Sequence, residues 1–573
     1  MVKDLRRLIS VAMGRERADL VIKGGKVLSV FTGELVEGDV AVAGGYVAGI
    51  GEYEGETTLD ASGAVVIPGL IDAHMHLEST LLRPEEFALA VLPHGTTAVV
   101  ADPHEIANVL GMRGVEYLLE ATQGLPVTFY VAVPSCVPAV KGLETYGAEL
   151  GVEEVAMLLM RDRVVGLAEM MNFPGVIAGD PEVLAKLDAA QGRVLDGHAP
   201  GLSGRGLNAY LSTGIGSDHE CTSPEEAKEK VRLGMKVMLR EGSVAKNLRD
   251  LASVVDDFSS TQFMLASDDL LPLDIKGEGH MDVRLRIAVD AGLPAHVAVR
   301  MATLNPAQYF RLKERGAVAP GYVADLVVVE DLVGFKVRHV VKEGKVVVEG
   351  GEIMVDVRRR PIPEWVRRTV KMPKLSERDL KVEAKGRRCR LIEVVPEQIL
   401  TKASEWEPPV SDGVALPDPS QDVAKVAVVD RHWGEKRVGL GFVKGFGIKE
   451  GAIAGTVGHD AHNALCLGVS DPDMLSALGR LSELQGGLVA VRGGEVLAEL
   501  PLPIAGLMSD LTFEEVCERL EALYKAAREL GVEIEHPFTA LSFLPLPVIP
   551  ELRITDFGLV DVREFRLVDL WMG

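Results

Sequence analysis

A chain of 573 residues is too long for one ordinary domain and suggests about three folding units. With 47% hydrophobic residues, 60 Gly and 30 Pro, it has the composition of a large globular protein with many short turns. The formal net charge of −23 argues against a general nucleic-acid binder and against docking on anionic membrane, because both present phosphates that repel such a chain.

The first twenty residues, MVKDLRRLISVAMGRERADL, are charged throughout and lack the apolar centre of a signal sequence; they predict a short amphipathic helix. No apolar run approaches ~20 residues, so no membrane span is expected. Residues 18–21 read ADLV and open a strand-rich stretch broken by Gly-Gly turns. Residues 324–327 read ADLV again and open a second stretch of the same kind. We read 1–63 and 313–356 as two halves of one small β-sandwich-like domain.

Between them, short apolar β-runs alternate with helix-like stretches. The runs are VVIPGLIDAH (65–74), GTTAVVAD (95–102), PVTFYVAV (126–133), VVGLAEMM (164–171), RVLDGH (193–198), GIGSDH (214–219), KVMLREG (236–242) and QFMLASD (262–268). Continuous apolar strands alternating with helices imply a parallel sheet covered on its faces. Eight such units over 64–312 predict an α/β fold of the (β/α)8, TIM-like barrel type. An open doubly wound sheet is the alternative, but no GxGxxG follows the first strand. Residues 357–390 hold 13 Lys or Arg against four acids, with three prolines, and read as a basic surface linker. Residues 391–573 read as an additional C-terminal α/β domain of α+β character. Its β-runs include KVAVVD and GLVAVRGGEVLAEL, and its helix is FEEVCERLEALYKAAREL. The five cysteines, at 136, 221, 389, 466 and 517, form no CxxC pair, so reduced thiols in a cytoplasm fit best.

Barrel function sits at the C-terminal ends of the strands. There the first run ends in His74-Met75-His76, whose alternate residues face one way. The second run contributes Asp102 and His104, the fourth Glu169, the fifth His198, the sixth His219 and the eighth Asp268. A single buried histidine is ordinarily structural, but four at strand ends with two acids is ligand chemistry suited to Zn, Mn or Fe.

The segments IDAHMHLEST, VLPHGTTAVVADPHEIANVLG, GLAEMMNFPGV, DGHAPGLSGRGLNAY and SDHE, extended outward by MATLNPA, AVAPGYVADLVV, GFVKGFG and LPIAGLMSD, resemble the amidohydrolase superfamily and, within it, the adenine deaminase family. The resemblance implies two divalent ions per chain, Mn or Fe first and Zn next. His74 and His76 would hold one ion, His198 and His219 the other, with Asp268 as the strand-eight ligand. Glu169 would bridge them, where many relatives place a carboxylated lysine. It also implies purine salvage, in which activated hydroxide attacks C6 of adenine and Asp268 carries the proton to the departing amine. A homodimer or higher homo-oligomer is the corresponding expectation. Glu78, His104, Glu220 and Asp269 lie near strand ends. Glu78 and His104 are the catalytic candidates on the substrate side, and Glu220 and Asp269 the substrate-binding ones, with support of a metal ligand as the alternative role of each. His198 is followed by Ala-Pro-Gly, so the HxxE of mononuclear adenosine deaminases is missing.

The C-terminal unit carries its own cluster, Gly458-His459-Asp460-Ala461-His462-Asn463, after a Gly-rich run that fits no phosphate-loop pattern. It reads either as a polar turn or as a cap, with His459 and His462 binding substrate. Competing functions are another binuclear amidohydrolase, opening cyclic amides or removing acetyl groups, and a scaffold without catalysis. Glu169 disfavours the ring-opening chemistry, and the full ligand set disfavours the scaffold.

Overall fold

Gly69 divides what the sequence presents as one strand over 65–74. Val65–Pro68 runs antiparallel to Leu326–Val329 in the small β-domain, and Leu70–Met75 opens the barrel. A side chain at Gly69 would collide with Thr97, so only glycine permits the crossing. The β-domain therefore extends past the expected boundary at 63. In the computed structural model, which describes residues 3–395 and 398–572, all eight expected barrel runs contain strands. We number these β1 (Leu70–Met75), β2 (Thr96–Ala101), β3 (Thr128–Val133), β4 (Val164–Met170), β5 (Val194–Gly197), β6 (Ser217–Asp218), β7 (Lys236–Arg240) and β8 (Phe263–Ala266).

Strands β1 to β5 form one parallel arc and β6 to β8 another. The Asp268 N–H donates to the His74 carbonyl at 3.0 Å and joins β8 to β1. The Gly216 N–H donates to the Leu195 carbonyl at 2.9 Å and joins the arcs on the other side. Small and unbranched residues such as Ala73, Ala98, Ala132, Ala168, Met238 and Met264 fill the interior. Larger aliphatic residues pack outward against the helices, and this division makes the barrel a packed core, not a pore.

The two ADLV segments lie in different sheets. Ala18–Lys23 belongs to a four-stranded sheet and Leu326–Val329 to a seven-stranded one. Leu20, Ile22 and Val42 from one flank share a core with Leu326, Val328 and Val341 from the other. Neither half could bury that surface alone. The expected N-terminal helix is Leu5–Ala12, with the Asp4 carboxylate accepting from the N–H groups of Arg6 and Arg7.

The basic segment wraps the barrel. Arg359 pairs with Glu86 at 2.7 Å, and the Arg360 guanidinium donates to the carbonyls of Glu120 and Gln123 at 2.6 Å each. Its expected end at 390 falls inside a strand, Arg388–Val394, because this segment pairs with Thr401–Trp406 and belongs to the C-terminal sheet. That sheet has nine strands, predominantly antiparallel, and its helices are Asp471–Leu484 and Phe513–Glu529. No helix among the described residues is long and apolar enough to cross a membrane.

Candidate metal centre

The strand ends that carry the ligand candidates are locally irregular. Pairing of β1 with β2 shifts register between Asp72 and Met75, and pairing of β4 with β5 shifts between Leu167 and Met170. Such bulges re-aim side chains, here those of His74 and Glu169. Asp268 stands two residues past β8 with φ 59°, a left-handed conformation uncommon outside glycine and typical of functional positions. Behind β1, Asp72 accepts from the Ser267 N–H at 3.0 Å and from the Ser267 hydroxyl, and it lies 3.3 Å from His280 Nε2.

These supports bring the candidates together. His74 Nε2 and His76 Nε2 are 3.2 Å apart. Asp268 Oδ1 lies 3.6 Å from the first and 3.3 Å from the second. Glu169 sits centrally. Its Oε2 is 2.6 Å from His198 Nδ1 and 3.2 Å from His219 Nε2, while its Oε1 is 3.6 Å from both His76 Nε2 and His104 Nδ1. The donors fall into overlapping groups whose ligand atoms lie within 4.8 Å of one another. These are His74 with His219 and Asp268; Glu169 with His198 and His219; and His76 with Asp102, His104 and Glu169. The histidines thus group across the barrel as well as along β1, and Asp102 and His104 join the same centre.

The donors fit divalent ions. Asp102 Oδ2 and His104 Nδ1 lie 3.3 Å apart without the geometry of a hydrogen bond, and Asp102 Oδ1 is also buried without one. Buried polar atoms ordinarily find a partner, and a cation is the partner this mixture of imidazole and carboxylate suits. Burial, and then the neighbouring His219 and His76, hold His74 well below the usual imidazole range, whereas at His76, His104, His198 and His219 burial is outweighed by the surrounding carboxylates, which raise those rings, whose protons a bound cation would displace. Burial works against ionisation of Glu169, but His219 and His198 outweigh it and keep that carboxyl well below its usual range. Asp268 is likewise held low against its burial, by His76 and then Arg240.

Arg240, at the end of β7, carries no sequence motif. Its Nη1 lies 2.9 Å from Asp268 Oδ2, and the guanidinium also grips Glu220 with both nitrogens. Glu220, expected near the substrate, is placed against this arginine, 3.6 Å from His219 Nε2. The only sequence signal for Arg240 is its position at a strand end.

A cleft beside the ligands is lined by Glu78, Ser79, Glu105 and Asp269 from the barrel and by His459 and His462 from the C-terminal domain. Glu78 Oε1 accepts from the Ile106 N–H at 3.0 Å, and Oε2 has no partner. Burial pushes this carboxyl up to about 7, partly offset by that N–H. The Ser79 hydroxyl donates to Asp269.

Glu105, next to His104, is the residue that sequence reasoning missed. Its Oε1 is 2.7 Å from His459 Nδ1 and 3.4 Å from His104 Nε2, and its other oxygen meets His462 Nε2. His462 Nδ1 accepts from the Gly458 N–H at 3.2 Å, which leaves its Nε2 to donate. The His459 ring stacks on Phe543 with centroids 4.4 Å apart.

Comparison with known proteins adds to this geometry. The amidohydrolase family profile matches residues 65–347, and the adenine deaminase C-terminal domain profile matches residues 398–566. An "Adenine deaminase 2" of Carboxydothermus hydrogenoformans is 48% identical over 569 residues, covering 99% of each chain. An "Adenine deaminase" of Desulfatibacillum aliphaticivorans is 48% identical over 568 residues, again covering 99% of each. One from Archaeoglobus fulgidus is 48% identical over 570 residues, covering 99% of this chain and 98% of the relative.

Proposed function

The chain belongs to the adenine deaminase family of amidohydrolases, and from that membership we propose how its residues divide the hydrolysis of adenine to hypoxanthine and ammonia. The observation that carries the reading is the convergence of four strand-end histidines with Glu169 and Asp268 beside a cleft closed by the C-terminal domain.

His74, His76, Glu169, His198, His219 and Asp268 would hold two divalent ions, with Asp102 and His104 adjoining them. Nitrogen and carboxylate donors without thiolate suit Mn or Fe and also accommodate Zn. Bound there, the ions supply Lewis acidity that makes water nucleophilic near neutral pH. Asp268, ionised and steadied by Arg240, takes a proton from the attacking water and delivers it to the amino group leaving C6. Glu78, balanced near neutrality, supplies the proton that a ring nitrogen must gain as C6 becomes tetrahedral, and recovers one from the C6 hydroxyl as the carbonyl forms. His459, held through Nδ1 by Glu105, keeps Nε2 for the purine edge, while His462, with both nitrogens engaged, secures Glu105 and with the C-terminal domain keeps bulk water out. The cysteines are free and buried, which suits a reducing compartment such as the cytoplasm.

The test is ultraviolet monitoring of adenine conversion by metal-loaded protein, with elemental analysis on the same sample. We expect hypoxanthine and ammonia in equal amounts at about two metals per chain. Full activity at a firm plateau of one metal would overturn the binuclear assignment, and opening of a hydantoin ring without deamination would overturn the reaction.

A further inference from the structure

The opposite end of the barrel carries a second hollow, of about 440 Å³, where β3, β4 and β5 begin. Its polar lining is one-sided: Arg163, Arg193, Arg311 and Lys313 all border it. Among the described residues, none of these four has a carboxylate within 4.0 Å. That is notable in a chain with 84 acidic residues against 61 basic ones, where most sites could have drawn a counter-ion from the protein.

The arginines are held in place by neutral acceptors instead. Arg163 donates to the carbonyls of Phe129 and Leu119 and to Thr122 Oγ1. Arg193 donates to the Leu159 carbonyl at 2.9 Å, and Arg311 to the Gly192 carbonyl at 2.7 Å. These bonds anchor Arg163 at three acceptors and tether the exposed Arg193 and Arg311 at one each, and none of them neutralises the charge. Burial and then the nearby Arg360 both disfavour the charge on Arg163, and Asp162 only partly offsets them. The half-buried Tyr130 and the buried Phe310 form its floor.

Fixed guanidinium forks with an ammonium group are the donors that recognise a phosphate. The volume lies in the ~300–1,000 Å³ range of small-molecule sites. We propose that this hollow binds a small phosphomonoester. The strands that start here, β4 and β5, carry Glu169 and His198 at or just past their far ends. At ~3.3 Å per residue the five steps from Val164 to Glu169 span about 17 Å, so the hollow is separate from the metal centre. The proposal stands independently of the reaction assigned to that centre.

The experiment is isothermal titration of the metal-loaded full chain with uridine monophosphate, inorganic phosphate and uridine. A pyrimidine is chosen because it does not mimic adenine. We expect one uridine monophosphate per chain, weaker binding of phosphate, and none of uridine. Lys313→Glu and Arg193→Ala, both exposed positions, should each weaken nucleotide binding by at least ~10-fold while adenine turnover and melting temperature stay unchanged. Absence of nucleotide binding up to ~10 mM would overturn the proposal. So would binding that both variants leave intact, since the anion would then sit outside this hollow.

Discussion

His459 Nδ1, in the C-terminal domain, lies 2.7 Å from Oε1 of Glu105, in the barrel, although more than half the chain separates them. The contact fastens the cap to the mouth of the site through a buried, charge-assisted hydrogen bond. His459→Ala and His462→Ala should therefore raise KM or lower kcat while metal content stays at the wild-type level. Steady-state kinetics with elemental analysis of each variant checks this, and unchanged kinetics in both would make the cluster a polar turn.

Glu169 has an oxygen facing each side of the centre, with Oε2 toward His198 and His219 and Oε1 toward His76 and His104. Glu169→Gln keeps the shape and removes the charge. Metal affinity should fall and turnover should drop by at least ~10²-fold. Normal turnover with two ions retained would show that the carboxylate does not bridge.

Asp268→Asn should leave the histidines able to bind some metal but remove the proton carrier. A loss of ~10²–10⁴-fold in kcat is expected. Wild-type turnover at neutral pH would assign the proton transfer to another group.

Arg240 lies between two buried carboxylates, Glu220 and Asp268. Arg240→Met strands both without their cation. Removing one partner of a buried ion pair costs about 3–5 kcal/mol, so denaturant unfolding should show a lower midpoint, with partial recovery in Arg240→Lys. An unaltered midpoint would mean that the carboxylates find another cation.

Glu144 supplies a pH-dependent prediction away from the ligands. Burial, then Asp460 and Asp556, push its carboxyl well above the ordinary 4.5. Below that pH both folded and unfolded chains keep the proton and nothing is lost. As pH rises past it, the unfolded chain releases its proton while the folded chain retains it, so stability falls until the folded group ionises. Glu144→Gln cannot ionise. It should match the wild type near pH 4 and melt at a higher temperature at pH 8, as scanning calorimetry across pH would show. Equal melting temperatures at both pH values would mean that the group is solvated in the folded protein.

Local patterning alone determined the alternation of β-runs and helical stretches, the placement of His74, His76, Glu169, His198, His219 and Asp268 at strand ends, and the helix Phe513–Glu529. These follow from periodicities of two and 3.6 residues, which any short window of sequence contains. Tertiary structure decided the rest. The break at Gly69 depends on Thr97, the role of Arg240 on two acids from other loops, and Glu105 as a junction on histidines more than three hundred residues away. The four cations at the base of the barrel come from three separate chain segments and lack carboxylate partners only once the strands have assembled. Side-chain partnership across such separations leaves no local period, because backbone geometry constrains neighbours along the chain while packing chooses neighbours in space.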